Sequence, residues 1–146
     1  MEGEIIMRKI LLHGRKVYGG VCEGDAIVST QPISFCGGLE PSTGEITERR
    51  HVIKGKSIAG KVLVFPSGKG SSAFSKAAYA TWLAGKAPIA CIISKINPQT
   101  ALASVVMHTP AVTELNQDPI EVIDSGDWVK VDGDAGVIEI IKKGKL

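Results

Sequence analysis

The chain has 146 residues, long enough for one domain with a substantial core. Its apolar share of 44% and charged share of 22% are those of an ordinary globular protein, and they exclude a disordered or collagen-like chain. A formal net charge of +2, with lysines and arginines scattered apart from Lys142, Lys143 and Lys145, gives no ground for nucleic acid or a membrane surface as partner.

No apolar run approaches the roughly 18 residues of a membrane span. The opening MEGEIIMRKILLHG carries Glu2 and Glu4 and does not read as a signal peptide, so a cytoplasmic location is expected. Met7 is a candidate start. Residues 1–7 are therefore expected to be a flexible N-terminal extension, and residues 8–146 a single domain. Cys22, Cys36 and Cys91 are odd in number and contain no C-x-x-C, which points to neither a disulfide framework nor a metal site of this chain. Each thiol is expected to be a small buried hydrophobe.

In chain order, RKILLHG (8–14) and GDAIVST (24–30) read as short strands separated by Gly19 and Gly20. The next segment, QPISFCGGLEPSTGEITERRH (31–51), has two prolines and three glycines and reads as a long irregular loop of the kind that often carries function. Within it, Gly37–Gly38 allows a sharp turn or a close approach to a ligand. KVLVF (61–65) is a Val-rich run bounded by Gly60 and Pro66, as expected of a buried strand. SSAFSKAAYATWLAGK (71–86) reads as a helix capped by Ser71 or Ser72 and stopped by Gly85 and Pro88. PIACIIS (88–94) is a second buried strand, completing a parallel βαβ unit.

NPQTALASVVMH (97–108) predicts a second helix, with Asn97 as cap and Pro98 at its first position. TPAVTE (109–114) and IEVID (120–124) predict short strands. WVKVDGDAGVIEII (128–141) predicts an alternating pair turning at the Asp–Gly signals. The whole is a mixed α/β domain, with a parallel βαβ core and an antiparallel sheet from the two ends of the chain.

FPSGKGSSA (65–73), between the first buried strand and its helix, is the richest stretch chemically. Unpaired N–H groups and the positive end of the helix dipole favour an anion there. Gly68 and Gly70 clear the backbone, Lys69 adds a cation, and Ser71 and Ser72 add hydroxyls. A Walker A loop fails because Gly70 follows Lys69. GKGSSA fits G-x-G-x-x-A, but the next strand ends in Ser94 and Lys95 and lacks the ribose-binding acid of a dinucleotide site. A serine activated as base or nucleophile and a plain turn that caps the helix both remain open.

Three runs together carry a family likeness: GGLEPSTGEI (37–46), IKGKSIAGKVLVFPSGKGSSA (53–73) and KAPIACIISK (86–95). They resemble the small-subunit family of the aconitase X group, over nearly the whole chain from Arg8 to Ile141. The resemblance implies a three-layer β/β/α swivelling domain. The tail GDWVKVDGDAGVIEI is similar to the closing hairpin of other swivelling domains, including phosphohistidine carriers; the glycine–serine loop has no histidine, which argues against that role. Archaeal members of the family dehydrate (R)-5-phosphomevalonate to trans-anhydromevalonate 5-phosphate.

By motif match the resemblance makes Ser71 the base that removes the C2 proton, and Ser72 a neighbouring binding hydroxyl. Ala73 and Phe74 stand where aconitase has Arg and Glu, so the anion must be held otherwise. Lys69 is the candidate, with Gly70, Gly37 and Gly38 lining the site. The resemblance also implies a [4Fe–4S] cluster bound by a separate large subunit, not by this chain, and hence an obligate heteromeric partner. Another aconitase X dehydratase, such as one acting on hydroxyproline, and a non-catalytic anion-binding module are the alternatives. Arg49, Arg50 and His51 form either a basic cluster that steers a phosphorylated substrate or a solvated loop. His13 and His108 read as surface or structural residues. Asp132 and Asp134 read as turn residues without the pattern of a calcium loop.

Overall fold

A computed structural model describes residues 5–70 and 72–145, the side chains of Ile5 and residues 143–145 excepted. Among the described residues, ten strands and four helices follow one another as β1 (Ile5–His13), β2 (Arg15–Tyr18), β3 (Val21–Val28), α1 (Phe35–Gly38), β4 (Leu39–Glu40), β5 (Glu45–Ile46), β6 (Val62–Phe65), α2 (Phe74–Leu83), β7 (Ala90–Ile93), α3 (Pro98–Val106), β8 (Ala111–Thr113), α4 (Pro119–Val122), β9 (Trp128–Asp132) and β10 (Val137–Lys145). Eight strands join in the order β1-β10-β9-β3-β6-β7-β8-β2, and β4 and β5 pair separately.

Strand β3 belongs to two sheets. Its first half, Val21–Asp25, pairs antiparallel with β9, and its second half, Ala26–Val28, pairs parallel with β6. The strand therefore joins the antiparallel β1-β10-β9 ribbon to the parallel β6-β7-β8 sheet. The parallel strands are buried on both faces, as their unbroken apolar runs predict. Leu63, Phe65, Cys91 and Ile93 pack into one core with Phe74 and Ala78 of α2 and Ala103 of α3. Their alternating neighbours Val62, Val64, Ala90 and Ile92 pack into the other core with Leu12, Val129, Val131, Ile138 and Ile140 of the ribbon. Sheet, sheet and helices are thus three layers in the β/β/α order expected of a swivelling domain, with the parallel sheet in the middle.

Local signals account for several element ends. Asn97 caps α3 through a reciprocal capping box with Thr100, and Pro98 opens the helix. At the end of α2, the Gly85 N–H donates to the Trp82 carbonyl and the Lys86 N–H to the Thr81 carbonyl, with Gly85 at φ +72°. That is a Schellman stop, and it needs the left-handed conformation glycine reaches freely. At the β9–β10 turn, Asp132 Oδ1 accepts the Ala135 N–H at 3.0 Å and Asp134 Oδ1 accepts the Gly20 N–H at 3.2 Å, so both acids are turn residues.

Three expectations are revised, and the first strand reaches back into the expected extension. Residues 120–124 are not a strand: Asp118 accepts the Ile120 N–H at 3.1 Å and Pro119 opens a single helical turn, so an Asp–Pro start signal outweighs the β-branched residues after it. A strand at Arg15–Tyr18 lies between the first two predicted strands and pairs with β8 as a sheet edge. Helix α2 begins at Phe74 with Ala73 at the cap position, so Ser72 does not cap it; Ser71 lies outside the described residues. Strand β1 begins at Ile5, placing residues 5–7 of the expected extension in register with residues 143–145.

Candidate functional site

The candidate site lies beyond the carboxyl ends of β6 and β7, where three loops meet. The loop after β6, residues 66–70, runs beside residues 31–38. Ile33 donates its N–H to the Ser67 carbonyl at 3.1 Å, and Lys69 donates its own to the Ile33 carbonyl at 3.0 Å, an isolated parallel bridge. From the far side Asn97 Nδ2 donates to the Gly68 carbonyl at 2.9 Å. Asn97 therefore caps α3 with its oxygen and holds the loop with its nitrogen. The third loop, residues 47–51, is fastened by the Thr47 and Glu48 N–H groups to the Gly38 carbonyl.

Glycine is required here for reasons of space and of backbone. A Cβ on Gly68 would lie 2.6 Å from Thr100 Cγ2 and 2.8 Å from the Phe74 ring. Gly70 sits at φ +114°, and a Cβ there would lie 3.0 Å from Ser34 Oγ. Gly37 is at φ +87° with nothing within 4 Å of its would-be Cβ, so its outer side is open. Gly38 is different: it is buried, its would-be Cβ is 3.3 Å from Ser34 Cβ and 3.4 Å from Glu48 Cβ, and it serves as packing between loops.

Phe35 fastens the long loop to the helix that follows the serines. Its ring stacks on Phe74 with centroids 4.6 Å apart and planes at 19°, and both rings are fully buried. Such a stack contributes about 0.5–1.5 kcal/mol beyond the area it buries. Phe74, one of the two residues that depart from the aconitase pattern, is therefore a core anchor that sets the start of α2 against residues 34–38.

Among the expected site residues, Lys69, Gly70 and Ser72 are exposed at this edge of the molecule, and Gly37 is exposed on the neighbouring loop; Ser71 lies outside the described residues. The Lys69 ammonium is paired with Glu48 Oε1 at 2.9 Å. The expected basic cluster divides. Arg49 and Arg50 are exposed, but His51 is buried: its Nδ1 accepts the Ile53 N–H at 3.2 Å and its Nε2 donates to the Pro32 carbonyl at 2.9 Å. Those two bonds fix the neutral tautomer with its proton on Nε2, and give His51 a structural role. His108 is exposed and leans on Trp82 with ring centroids 4.5 Å apart.

Ser34 and Glu48 were not singled out from the sequence. Ser34 Oγ donates to the Cys36 carbonyl at 2.8 Å and flanks Gly70. Both residues lie far from the glycine–serine loop in sequence, and the bridge at Ile33, the Phe35–Phe74 stack and the bonds to the Gly38 carbonyl bring them to it. Of the thiols, Cys36 is exposed on this loop, Cys22 is half-buried, and Cys91 lies in the core, where burial pushes its pKa up to about 12. Among the described residues no three His, Cys, Asp or Glu side chains come together as metal ligands, and no helix is long and apolar enough to cross a membrane.

Comparison with known proteins places this geometry. The aconitase X swivel domain family matches residues 11–140. The chain is 43% identical over 129 residues to the phosphomevalonate dehydratase small subunit of Methanocella arvoryzae, covering 88% of this chain and 98% of that one. It is also 43% identical over 136 residues to the protein of that name from Methanosarcina acetivorans, with 93% and 94% covered. The crystal structure of Thermococcus kodakaraensis aconitase X in its holo-form superposes with a TM-score of 0.86 at 41% identity, over 91% of this chain and 99% of that one. The match runs through both sheets and through the loop that carries Lys69 and Gly70, and the chain belongs to the aconitase X swivel domain family.

Proposed function

We propose that this chain is the small subunit of a phosphomevalonate dehydratase, a hydro-lyase that removes water from (R)-5-phosphomevalonate to give trans-anhydromevalonate 5-phosphate. The observation that carries the reading is the near full-length likeness, on both sides of the alignment, to archaeal proteins of that name.

In this reading the chain works on the proton side of the reaction. Ser71, by its place in the motif, takes the proton from C2. The loop supports that role in kind: it runs from a buried strand into a helix N-terminus, where unpaired N–H groups stabilise a developing oxyanion. Ser72 and the backbone at Gly70 and Gly37 line the approach, and Lys69 supplies the cation for an anionic group of the substrate. Gly38 acts beneath them by packing the two loops together.

The departing hydroxide needs a Lewis acid. We assign that part to an iron–sulfur cluster on a large partner subunit, since the cysteines of this chain are dispersed. An active site shared between two chains makes the partner obligatory.

Mixing experiments test this. Purified chain, purified large subunit and the two together are incubated with (R)-5-phosphomevalonate and followed by proton and phosphorus NMR. Product is expected only from the mixture. Conversion by this chain alone, or none by an iron-loaded complex, would contradict the proposal.

A further inference from the structure

Lys69 has a fixed main chain and a loose head group. Its N–H is bonded to the Ile33 carbonyl at 3.0 Å, while its side chain is 50% exposed and its ammonium rests on Glu48 Oε1 at 2.9 Å. Glu48 is likewise fixed at its main chain, through the Gly38 carbonyl, and its side chain is 25% exposed. The second carboxylate oxygen is 3.8 Å from His51 Nε2, whose proton is already given to the Pro32 carbonyl. Lys69 is therefore the cation in contact with Glu48. Ion pairs between side chains that water reaches are weak and exchangeable.

From this we infer that Glu48 is a positioning residue that acts as a displaceable counter-ion: it holds the Lys69 ammonium at the mouth of the site and yields it to the substrate's phosphate. The inference rests on the reading above, in which this loop faces the substrate. Exchanging one carboxylate for another gains little, whereas a phosphate dianion offers more charge and more acceptor oxygens to the same ammonium. Lys69 then discriminates for phosphorylated substrates, because an anion must outcompete Glu48 to be bound. The pair also keeps the lysine from wandering, at the cost of some affinity.

The test uses the assembled complex in steady state with (R)-5-phosphomevalonate, and inorganic phosphate as competing anion. Glu48→Gln is expected to lower KM and the phosphate inhibition constant about three- to tenfold, with kcat within about twofold, as loss of a weak competing pair allows. Lys69→Met is expected to raise KM about tenfold or more, and in that background Glu48→Gln is expected to change KM by less than about twofold. Glu48→Asp, which keeps a carboxylate within the reach of a flexible lysine, should restore the native KM. An unchanged or raised KM in Glu48→Gln overturns the inference. So does an equal fall in KM without Lys69, which would be direct repulsion by Glu48. If Lys69→Met leaves KM unchanged while Ser71→Ala is inactive, the counter-ion role fails and the proton-removal reading stands. An active Ser71→Ala removes the reading on which both depend.

Discussion

Two regions of this molecule compete for attention as a site. The groove lined by Met7, Arg8, Lys9, Asp25, Ser125, Gly126, Asp127, Trp128 and Ile141 encloses about 790 Å³. The loop cluster around Lys69 and Gly70 is an exposed edge. Yet several of the charged and polar groups in and beside the groove are committed to structure. Asp127 accepts from Lys142 Nζ at 2.6 Å, Asp124 pairs with the same ammonium at 2.9 Å, and Trp128 Nε1 donates to Glu23 at 3.2 Å. Burial draws the Lys142 pKa down, but the Asp127 and Asp124 carboxylates draw it up further, and the ammonium is held charged. In the cluster, by contrast, glycines sit in left-handed conformations, loops distant in sequence are bonded together, and a lysine rests on an exchangeable partner. A large concavity is the usual first guess for a binding site. In the function proposed above the chain contributes half of a shared site, and such a half need not enclose a cavity: its share of the chemistry would lie on an open surface.

Perturbing each region sharpens the contrast. The largest effect on stability is expected from Phe35→Ala, which removes one ring of the buried stack and leaves a cavity beneath the site. A loss of about 3–5 kcal/mol in denaturant unfolding is expected, with activity falling as residues 34–38 detach from α2. A loss below 1 kcal/mol would mean the loop is held by its hydrogen bonds instead. Next is thiol chemistry. At pH 8 a thiol with a pKa near 12 is about one part in ten thousand thiolate, so Cys91 should resist a maleimide until the protein unfolds, whereas exposed Cys36 should react in the native state. Mass spectrometry of the labelled protein reads both, and protection of Cys36 by the large subunit would place that loop at the interface. The smallest effect is expected from Trp128→Ala in the groove. The side chain is 44% exposed, so stability should change by about 1 kcal/mol or less and turnover of the complex not at all. A strong loss of turnover with assembly intact would return the groove to consideration.

The sequence announces what is local. VLVF and ACII read as buried strands because a parallel strand covered on both faces is apolar throughout. The start of α3 is written in Asn97 and Pro98, and the structure adds Thr100 as the other half of the capping box. Strand β2 is not legible, because RKVY becomes a strand only through its pairing with β8 at the sheet edge. The site divides the same way. Gly68, Lys69 and Gly70 stand together in one motif, but Ser34 and Glu48 reach them across a parallel bridge that no local pattern encodes. His51 looked like one of three cations until its burial and its two backbone bonds made it structural.

The most direct measurement is turnover of a Ser71→Ala complex whose assembly with the large subunit has been verified by sedimentation. Loss of the base is expected to lower kcat about 10²- to 10⁴-fold with KM little changed. A complex that assembles and turns over at the native rate would contradict the account, because the proton would then be removed by some other group.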